Sequence, residues 1–464
     1  MRKWLPLVAI CAGTFMLLVD VTIVTVALPD MARGLNASLA DLQWVLSLYA
    51  LVLASLVLTA GSIADRLGRR AVYLGGLVVF AVASLVCGLS PNVGLLIAAR
   101  GLQGLAAAAM FATTLALITS SYEGRDRGIA FGVWAAVNGA ASAAGPLLGG
   151  LLTDSFGWRW IFFVNLPVTA VALVLTALAV PESRDPQPRR LDLAGMASFT
   201  VGSAALVYAL INESSWLFVV AAAALAVFVF VERRPNAMLD LSLFRTAAFP
   251  TLLVTAALLP AAAWAYWIYQ TLWLQSVLGL SPIEAGLVFL PVSLTTFVLS
   301  IVVGRVMHRT SARLLIGSGM LFIAAGVLAQ TVIDAGSGWA ALLPGLFLVG
   351  VGAGLVLGPL SAAAMAAVPG PRAGMAAGAV NTFRQLGYAL GVAVLGQVFR
   401  SGLDSDDLHR AYANALDRTF VVAASFAVFA GVAVFLFVRD GQRRGGLVPV
   451  RRMVSRWVSP TARS

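Results

Sequence analysis

Long apolar runs separated by short polar stretches fill the chain. Each run has 17 or more residues, and about 20 apolar residues suffice for a helix to cross a bilayer. The pattern therefore predicts an all-α integral membrane protein with fourteen transmembrane helices. The runs fall at about 6–28, 42–61, 71–89, 93–118, 128–152, 161–180, 193–212, 216–232, 250–277, 285–304, 313–333, 340–360, 373–398 and 419–438.

The composition supports this interpretation and excludes several classes of protein. Of the 464 residues, 60% are apolar and 11% are charged, which is more hydrocarbon than a soluble domain can bury. Cys11 and Cys87 fall inside apolar runs, and His308 and His409 fall in predicted loops. Neither a disulfide framework nor a metal site in the membrane is therefore indicated. The familiar hydrolase, zinc-protease and Walker motifs do not occur, so we expect neither an enzyme nor an ATP-driven pump, and no cofactor.

The net charge of +11 has a topological explanation. By our count about 24 of the 31 basic residues lie in the termini and the even-numbered loops. Basic loops stay in the cytoplasm, so both termini are predicted to be cytoplasmic and no nucleic-acid partner is needed. An acidic residue within the first run, and the lack of a convincing cleavage site, predict an uncleaved helix rather than a signal peptide. We expect a multi-pass protein of a bacterial plasma membrane.

Asp20 is an acidic residue inside the first apolar run. A carboxylate there costs roughly 2.5–3.5 kcal/mol on insertion scales, so it needs a partner, a cavity or a function. Burial disfavours the charged form, which suits a group that takes up and releases protons. The alternative is that Asp20 reaches water at the outer end of the helix. Asp20 is the only acidic residue deep in a predicted helix. This indicates either that one proton moves per cycle or that proton and substrate compete for one site. A dicationic substrate is less favoured, because a second buried acid would be the simplest way to bind it.

The chain repeats itself at an offset of about 243 residues. Ser38-x-x-Asp41 corresponds to Ser281-x-x-Glu284, and both predict a capping box at the start of a helix. The segment 61–70 corresponds to 304–313, and Asn138 to Asn381. Two homologous halves are therefore predicted, with a substrate site between them near the middle of the bilayer.

The repeat gives a domain organisation. We predict a six-helix bundle at 1–180, a linker with two inserted helices at 181–245, a second six-helix bundle at 246–438 and a basic tail at 439–464. In the repeat, Ala263 corresponds to Asp20 and His308 to Asp65, so the acidic groups belong to the first half alone. In the tail, apolar positions 450, 453, 454, 457 and 458 lie opposite arginines. This predicts a short helix on anionic lipid, with a disordered tail as the alternative.

Several motifs carry a family resemblance. The segment 61–70, together with Leu96-x-x-x-Arg100-Gly101-x-Gln103-Gly104, resembles the signature pair of the major facilitator superfamily. The glycine pattern in 139–150 resembles the fifth-helix motif of its antiporters. The run around Asp20 and the segments 158–167 and 381–387 are similar to the 14-helix drug:proton antiporter family. The resemblance covers nearly the whole chain, and it is specific for family but not for substrate.

The resemblance implies two six-helix bundles that rock about a central cavity, with two extra helices between them. It implies proton-coupled export of amphipathic organic compounds such as drugs or antibiotics, with the proton gradient as the energy source. Asp20 and Arg100 take the proton-coupling roles. The cytoplasmic latch of the outward-facing state comprises Asp65, Arg66, Arg69 and Arg70. The antiporter helix motif comprises Gly139, Gly145, Pro146, Gly149 and Gly150.

Depth in the membrane supports a pairing of Asp20 with Arg100. Asp20 lies about eight residues before the outer end of its run, and Arg100 about seven after the outer start of its own. At 1.5 Å per residue both lie about 10–12 Å below the outer surface. The alternative is that Arg100 extends outward and never meets Asp20.

Candidates for the substrate cavity are polar or aromatic residues within predicted helices. Aromatic faces suit planar or cationic compounds, although an interfacial aromatic belt is the alternative, and for Trp273 we favour that belt. Arg384 has two interpretations, contact with an anionic group of the substrate or a structural role. The candidates are Asn138, Tyr266, Tyr269, Gln270, Asn381 and Arg384.

Two other functions stay open. The first is export of a single endogenous metabolite, which keeps the fold and the antiport. The second is a membrane-embedded sensor that binds a ligand without transporting it, although no sizeable soluble domain is present to pass on a signal.

Overall fold

The computed structural model describes residues 2–184, 192–234, 241–307, 309–334, 336–368, 373–403 and 407–438. In these ranges the regular structure consists of helices connected by short turns. The predicted tail helix lies outside the described residues. The α-helices are α1 Leu5–Leu35, α2 Leu39–Leu67, α3 Arg69–Leu89, α4 Val93–Ser121, α5 Gly124–Phe156, α6 Trp160–Phe163, α7 Asn165–Ala179, α8 Leu193–Asn212, α9 Ser215–Val231, α10 Ala248–Ala263, α11 Trp267–Leu272, α12 Pro282–Val288, α13 Leu290–Val306, α14 Ala312–Leu328, α15 Leu343–Ala366, α16 Ala373–Arg400 and α17 Leu408–Phe437.

Ten helical segments of the described chain are long and apolar enough to cross a membrane. Two shorter apolar helices, α9 and α14, add to them. The protein is therefore an all-helical, multi-pass membrane protein. The ten segments are Leu5–Leu35, Leu39–Val57, Arg69–Leu89, Val93–Ser121, Trp160–Ala179, Leu193–Asn212, Ala248–Val277, Pro282–Val306, Trp339–Ala366 and Leu408–Phe437.

Three of the predicted helices are interrupted. The break between α6 and α7 precedes Pro167, and the break between α12 and α13 precedes Pro291. A proline cannot donate to the carbonyl four residues earlier and its ring crowds that carbonyl, so each short helix ends about four residues before it. The predicted helix 250–277 consists of α10, α11 and a π-helical turn at Trp273–Val277.

Both predicted capping boxes are confirmed. Ser38 Oγ accepts from the Asp41 backbone N–H at 3.2 Å, while the Asp41 carboxylate accepts from the Ser38 N–H at 2.9 Å. Ser281 and Glu284 form the same pair of bonds at the start of α12. These caps satisfy backbone donors that a helix start leaves free, and they place the starts of α2 and α12 at Leu39 and Pro282.

The start of α17 differs from the prediction. The helix begins at Leu408, eleven residues before the apolar run at 419–438. His409 and Asp417 therefore lie in the helix, and the prediction that His409 belongs to a loop is wrong. The Asp407 side chain caps this polar first part by accepting from the His409 backbone N–H at 3.0 Å.

Small residues allow close approach between helices of the two predicted halves. A Cβ atom at Gly150 of α5 would lie 2.6 Å from the Pro282 carbonyl oxygen, and one at Gly286 would lie 2.5 Å from that of Pro146. No side chain fits such spaces, so these glycines bring α5 and α12 into backbone contact. We call this end of the structure, where α1 ends and α2 begins, the distal end.

Candidate functional site

Asp20 lies on α1 in a fully buried site, with 0% of its surface exposed. Its Oδ2 accepts a hydrogen bond from Arg100 Nη1 of α4 at 2.6 Å. Its Oδ1 accepts from Asn165 Nδ2 of α7 at 2.8 Å and from Gln103 Nε2 at 3.4 Å. Two helices, α4 and α7, therefore supply donors to one carboxylate of α1, and the alternative in which Asp20 reaches interfacial water is wrong.

Arg100 is held by several groups besides Asp20. Its Nε donates to the Val45 carbonyl at 3.1 Å, and its Nη1 donates to Gln103 Oε1 at 2.7 Å. The guanidinium carbon lies 4.4 Å from the centre of the Tyr49 ring, which is within cation–π distance. Arg100 is 1% exposed, so the alternative in which it extends away from Asp20 is wrong.

A second layer of polar groups orients the donors. Gln103 Nε2 donates to Ser84 Oγ at 2.8 Å, and Cys87 Sγ lies 3.4 Å from Gln103 Oε1. Asn165 Nδ2 also donates to Ser84 Oγ at 3.4 Å. Gln103, Asn165 and Ser84 are not among the predicted site residues. Amide and hydroxyl groups inside apolar runs could have indicated a polar network at these positions.

This arrangement has a clear electrostatic character. The carboxylate and the guanidinium neutralise each other in a region shielded from water, where an unpaired charge is costly. Charge-assisted hydrogen bonds of this kind stabilise the ionised pair. We call Asp20, Arg100, Gln103 and Asn165 the buried charge cluster.

The turn between α2 and α3 gathers three of the four predicted latch residues. Asp65 Oδ1 accepts from Arg69 Nε at 3.0 Å and from Nη2 at 2.9 Å. Gly68 between them has φ +117°, a conformation that side-chain-bearing residues rarely adopt. Arg70 donates to the Ala177 carbonyl of α7. These contacts lie within the first predicted half, and Arg66 also takes part in an interaction.

Glu182 completes this turn, although the sequence placed it in the linker. Its carboxylate accepts from the backbone N–H groups of Arg70 at 3.0 Å and Ala71 at 3.1 Å. Those groups open α3, where free N–H donors and the helix dipole favour a negative charge. The end of α7 is thereby fastened to the start of α3.

The predicted antiporter motif lies along α5. A Cβ atom at Gly149 would lie 2.6 Å from the Ile23 carbonyl oxygen of α1, and one at Gly145 would overlap Thr22. Gly150 and Pro146 make the contacts with α12 described above. The motif therefore packs α5 closely against both α1 and α12. The side chain of Asn138, and the surroundings of Gly139, lie outside the described residues.

Tyr266, Tyr269 and Gln270 of the predicted cavity wall are all fully buried. Gln270 donates to Gln330, which lies just beyond the end of α14, and Gln330 Nε2 lies 3.4 Å from the Tyr266 hydroxyl. None of the three predicted wall residues presents surface to a substrate in this conformation. Trp273 is 1% exposed, so its assignment to an interfacial aromatic belt is wrong.

A polar network joins the predicted halves at the distal end. Gln43 Nε2 of α2 donates to the Tyr269 hydroxyl at 2.9 Å, and that hydroxyl donates to the Val392 carbonyl at 2.6 Å. Arg400 Nη1 donates to Gln43 Oε1 at 3.1 Å, and its Nη2 donates to the Ile211 carbonyl of α8 at 3.2 Å. Residues from α2, α11, α16 and α8 therefore meet in one network, which we call the distal network.

Asn381 and Arg384 of α16 differ from the wall residues because both keep accessible surface. Thr382 beside them donates to the Ala54 carbonyl of α2 at 3.2 Å, and the Tyr388 side chain one turn further on lies near Thr25 of α1. The structure thus places the middle of α16 against helices of the first predicted half.

Comparison with known proteins adds a family context. Residues 10–392 match the model of the Major Facilitator Superfamily. The chain is 40% identical over 412 residues to the multidrug resistance protein Stp of Mycobacterium tuberculosis, covering 86% of this chain and 76% of that protein. It is 37% identical to the puromycin resistance protein of Streptomyces alboniger, covering 86% and 82%. It is 34% identical to the tetracenomycin C resistance and export protein of Streptomyces glaucescens, covering 86% and 76%.

Solved structures show the same fold. A bacterial homologue of the human lysosomal transporter Spinster, in an inward-facing and unoccupied conformation, superposes with a TM-score of 0.67 at 18% identity. The superposition covers 95% of this chain and 98% of that one. A peptide transporter in complex with sulfate superposes with a TM-score of 0.68 at 17% identity, covering 93% and 94%.

Proposed function

The chain belongs to the major facilitator superfamily of membrane transporters, and from that premise we propose that it is a proton-coupled exporter of amphipathic organic compounds. The observation that carries the proposal is the ion pair between Asp20 and Arg100, 2.6 Å long and fully buried. A buried ion pair is weak evidence of a stabilising role, because an apolar replacement is often as stable. A carboxylate within a membrane is by default a functional group.

Proton coupling would follow from the geometry of the buried charge cluster. With Arg100 in place, the Asp20 side chain is paired and inaccessible. When the helices rearrange and Arg100 parts from Asp20, the isolated carboxylate favours its neutral form and takes up a proton. Return of Arg100 expels the proton. The proton gradient is then the energy source, and no cofactor is needed.

Alternating access is supported by the position of the contacts between the two predicted halves. The distal network and the contact of α5 with α12 hold the distal end closed. Opening that end requires these hydrogen bonds to break. Asp65 and the arginines beside it are our proposed latch for the opposite state. The basic residues around them favour a cytoplasmic location for this end and for both termini.

We propose the 14-helix drug:proton antiporter architecture for this chain. The ten apolar segments and two shorter helices account for twelve crossings, and α5 and α16, with 33 and 28 residues, are long enough for two more. Two six-helix bundles would then flank α8 and α9. Contact of the basic tail with anionic lipid belongs to the same proposal.

The names of the relatives support two candidates for the transported compound. Stp is named for multidrug resistance, which favours a range of amphipathic compounds. The relatives named for puromycin and for tetracenomycin C are each named for a single compound. These names favour, as a second candidate, export of one endogenous metabolite. Protection of cells against several unrelated compounds supports the first candidate, whereas protection against one supports the second.

The deciding experiment uses purified protein in liposomes that contain a pH-sensitive dye. Cationic, neutral and anionic amphipathic compounds are added to wild type and to Asp20→Asn. Asp30→Asn is the matched control, because Asp30 is on the same helix but pairs with Arg33 at the surface. We expect compound-induced proton flux in wild type and in the control, and none in Asp20→Asn. Equal flux in all three proteins would overturn the coupling role of Asp20. Ligand binding without flux in wild type would favour the sensor.

A further inference from the structure

The middle of α16 carries a charge that the buried charge cluster does not use. Arg384 is the twelfth of 28 residues in this helix and keeps accessible surface. Arg100 is bound by a carboxylate, an amide oxygen and a backbone carbonyl. Arg384, by contrast, has neither a hydrogen bond nor an ion pair with another described residue.

The accessible surface of Arg384 does not face lipid. Between Met375 and Arg400 every residue of α16 is buried or only partly exposed. In α17, which does face outward, Val421, Phe429 and Leu436 are 54%, 63% and 66% exposed. Helix α16 is therefore enclosed by other helices, and Arg384 opens onto a space between them.

The neighbours of Arg384 make this space polar and place it between the predicted halves. Asn381 and Tyr388 lie one turn before and one turn after Arg384, on the same side of the helix and also partly exposed. The Tyr388 side chain lies near Thr25 of α1, and Thr382 donates a hydrogen bond to the Ala54 carbonyl of α2. A compound in this space would touch both halves, as a transported substrate must.

A guanidinium without a partner in the membrane interior is costly. The cost is offset when a ligand brings an anionic group, and the planar fork of arginine matches a carboxylate with two hydrogen bonds. Asp20 does not supply that anion, because Arg100 neutralises it. A cationic compound would find no free negative charge in the buried charge cluster and a positive one at Arg384.

We propose that Arg384 is the binding site for an anionic group, such as a carboxylate, on the exported compound. The inference rests on the proposed function, because it assigns the charge class of the cargo. Asn381 and Tyr388 supply additional hydrogen bonds on either side of that group. The preferred cargo is a monoanionic amphipathic compound rather than a cation.

The test is a binding measurement in detergent, with three probes that share one fluorophore. Dansylglycine carries a carboxylate, dansylglycinamide is neutral, and a dansyl amine is cationic. We expect wild type to bind dansylglycine at least tenfold more tightly than the amide. Arg384→Gln should abolish that preference and Arg384→Lys should retain part of it. Arg410→Gln, a control at a 72% exposed side chain, should match wild type.

Three outcomes would overturn the inference. They are equal binding of the carboxylate and amide probes by wild type, a preference that survives in Arg384→Gln, and no binding of any probe by wild type. Retained binding of the amide by Arg384→Gln shows that the variant is folded. The assay uses no proton gradient, so a failure of the Asp20→Asn experiment leaves this result unaffected, and the two proposals can fail separately.

Discussion

The two predicted halves treat charge inside the membrane in opposite ways. In the first half Asp20 and Arg100 are 0% and 1% exposed and neutralise each other at 2.6 Å. In the second half the position that corresponds to Asp20 is Ala263, and Arg384 is partly accessible with no partner among the described residues. In the two proposals above, these charges have different roles: the paired charges exchange protons, and the unpaired charge binds the anionic group of a ligand.

The largest expected difference is in stability. Arg100→Ala leaves the Asp20 carboxylate buried without its cation, so we expect a loss of about 3–5 kcal/mol. Arg384→Leu removes a charge that has no partner, so unfolding free energy should stay the same or rise. Denaturant unfolding of the purified variants in one detergent measures both. Equal losses in the two variants would show that Arg384 has a structural partner and would remove the contrast.

Substitution of glycines at close helix contacts should give the next largest loss of stability, and this loss should occur in both halves. A Cβ atom at Gly104 would lie 2.5 Å from the Tyr49 carbonyl oxygen, whereas one at Gly75 would meet nothing within 4 Å. We therefore expect Gly104→Ala to cost about 1–3 kcal/mol and Gly75→Ala to cost far less. In the second half Gly387→Ala should behave like Gly104→Ala, and Gly358→Ala like Gly75→Ala. Thermal unfolding ranks the four variants.

The distal network offers a smaller but more local test. Tyr269→Phe removes a hydroxyl that accepts from Gln43 and donates to Val392. Each net hydrogen bond contributes about 0.5–1.5 kcal/mol, so the distal end should open more often. A cysteine at Ser281 should then react faster with an impermeant maleimide. Tyr208→Phe is the control, since Tyr208 is an exposed tyrosine, and an equal rate in both variants would contradict a gating role.

Removal of a capping box should give the smallest loss of stability, and the loss should be the same in the two halves. Ser38→Ala and Ser281→Ala each remove one capping box, so we expect each to cost about 1 kcal/mol. Ser318→Ala is the control, because Ser318 Oγ bonds only to carbonyls of its own helix. A much larger loss for one cap would show that the repeat is not equivalent at these helix starts.

Local features were predictable from the sequence. The apolar runs identify the membrane-spanning segments, and Ser38 and Ser281 mark helix starts because capping depends on residues three positions apart. The approach of Arg100 to Asp20 was predictable from depth alone. Each of these predictions needs only helix periodicity and the thickness of a bilayer.

Long-range packing was not predictable. Asn165 meets Asp20 across 145 positions of the chain, and nothing in the period of an apolar helix indicates which face meets which neighbour. Tyr269 in α11 and Trp273 in the π-helical turn are both buried, and hydropathy does not mark which side of these short segments points inward. The early start of α17 was not predicted because its first turns are polar, and hydropathy marks only the apolar part of a helix.

The polarity of α16 has a consequence for how the protein is made. This helix is not among the ten apolar segments, and an arginine near its centre disfavours insertion by roughly 2.5–3.5 kcal/mol. It therefore depends on neighbours to enter the bilayer. Helices α2, α8, α10 and α15 are made before it, so they must already be in the membrane to receive α16. Integration of α16 therefore depends on the earlier assembly of helices from both predicted halves.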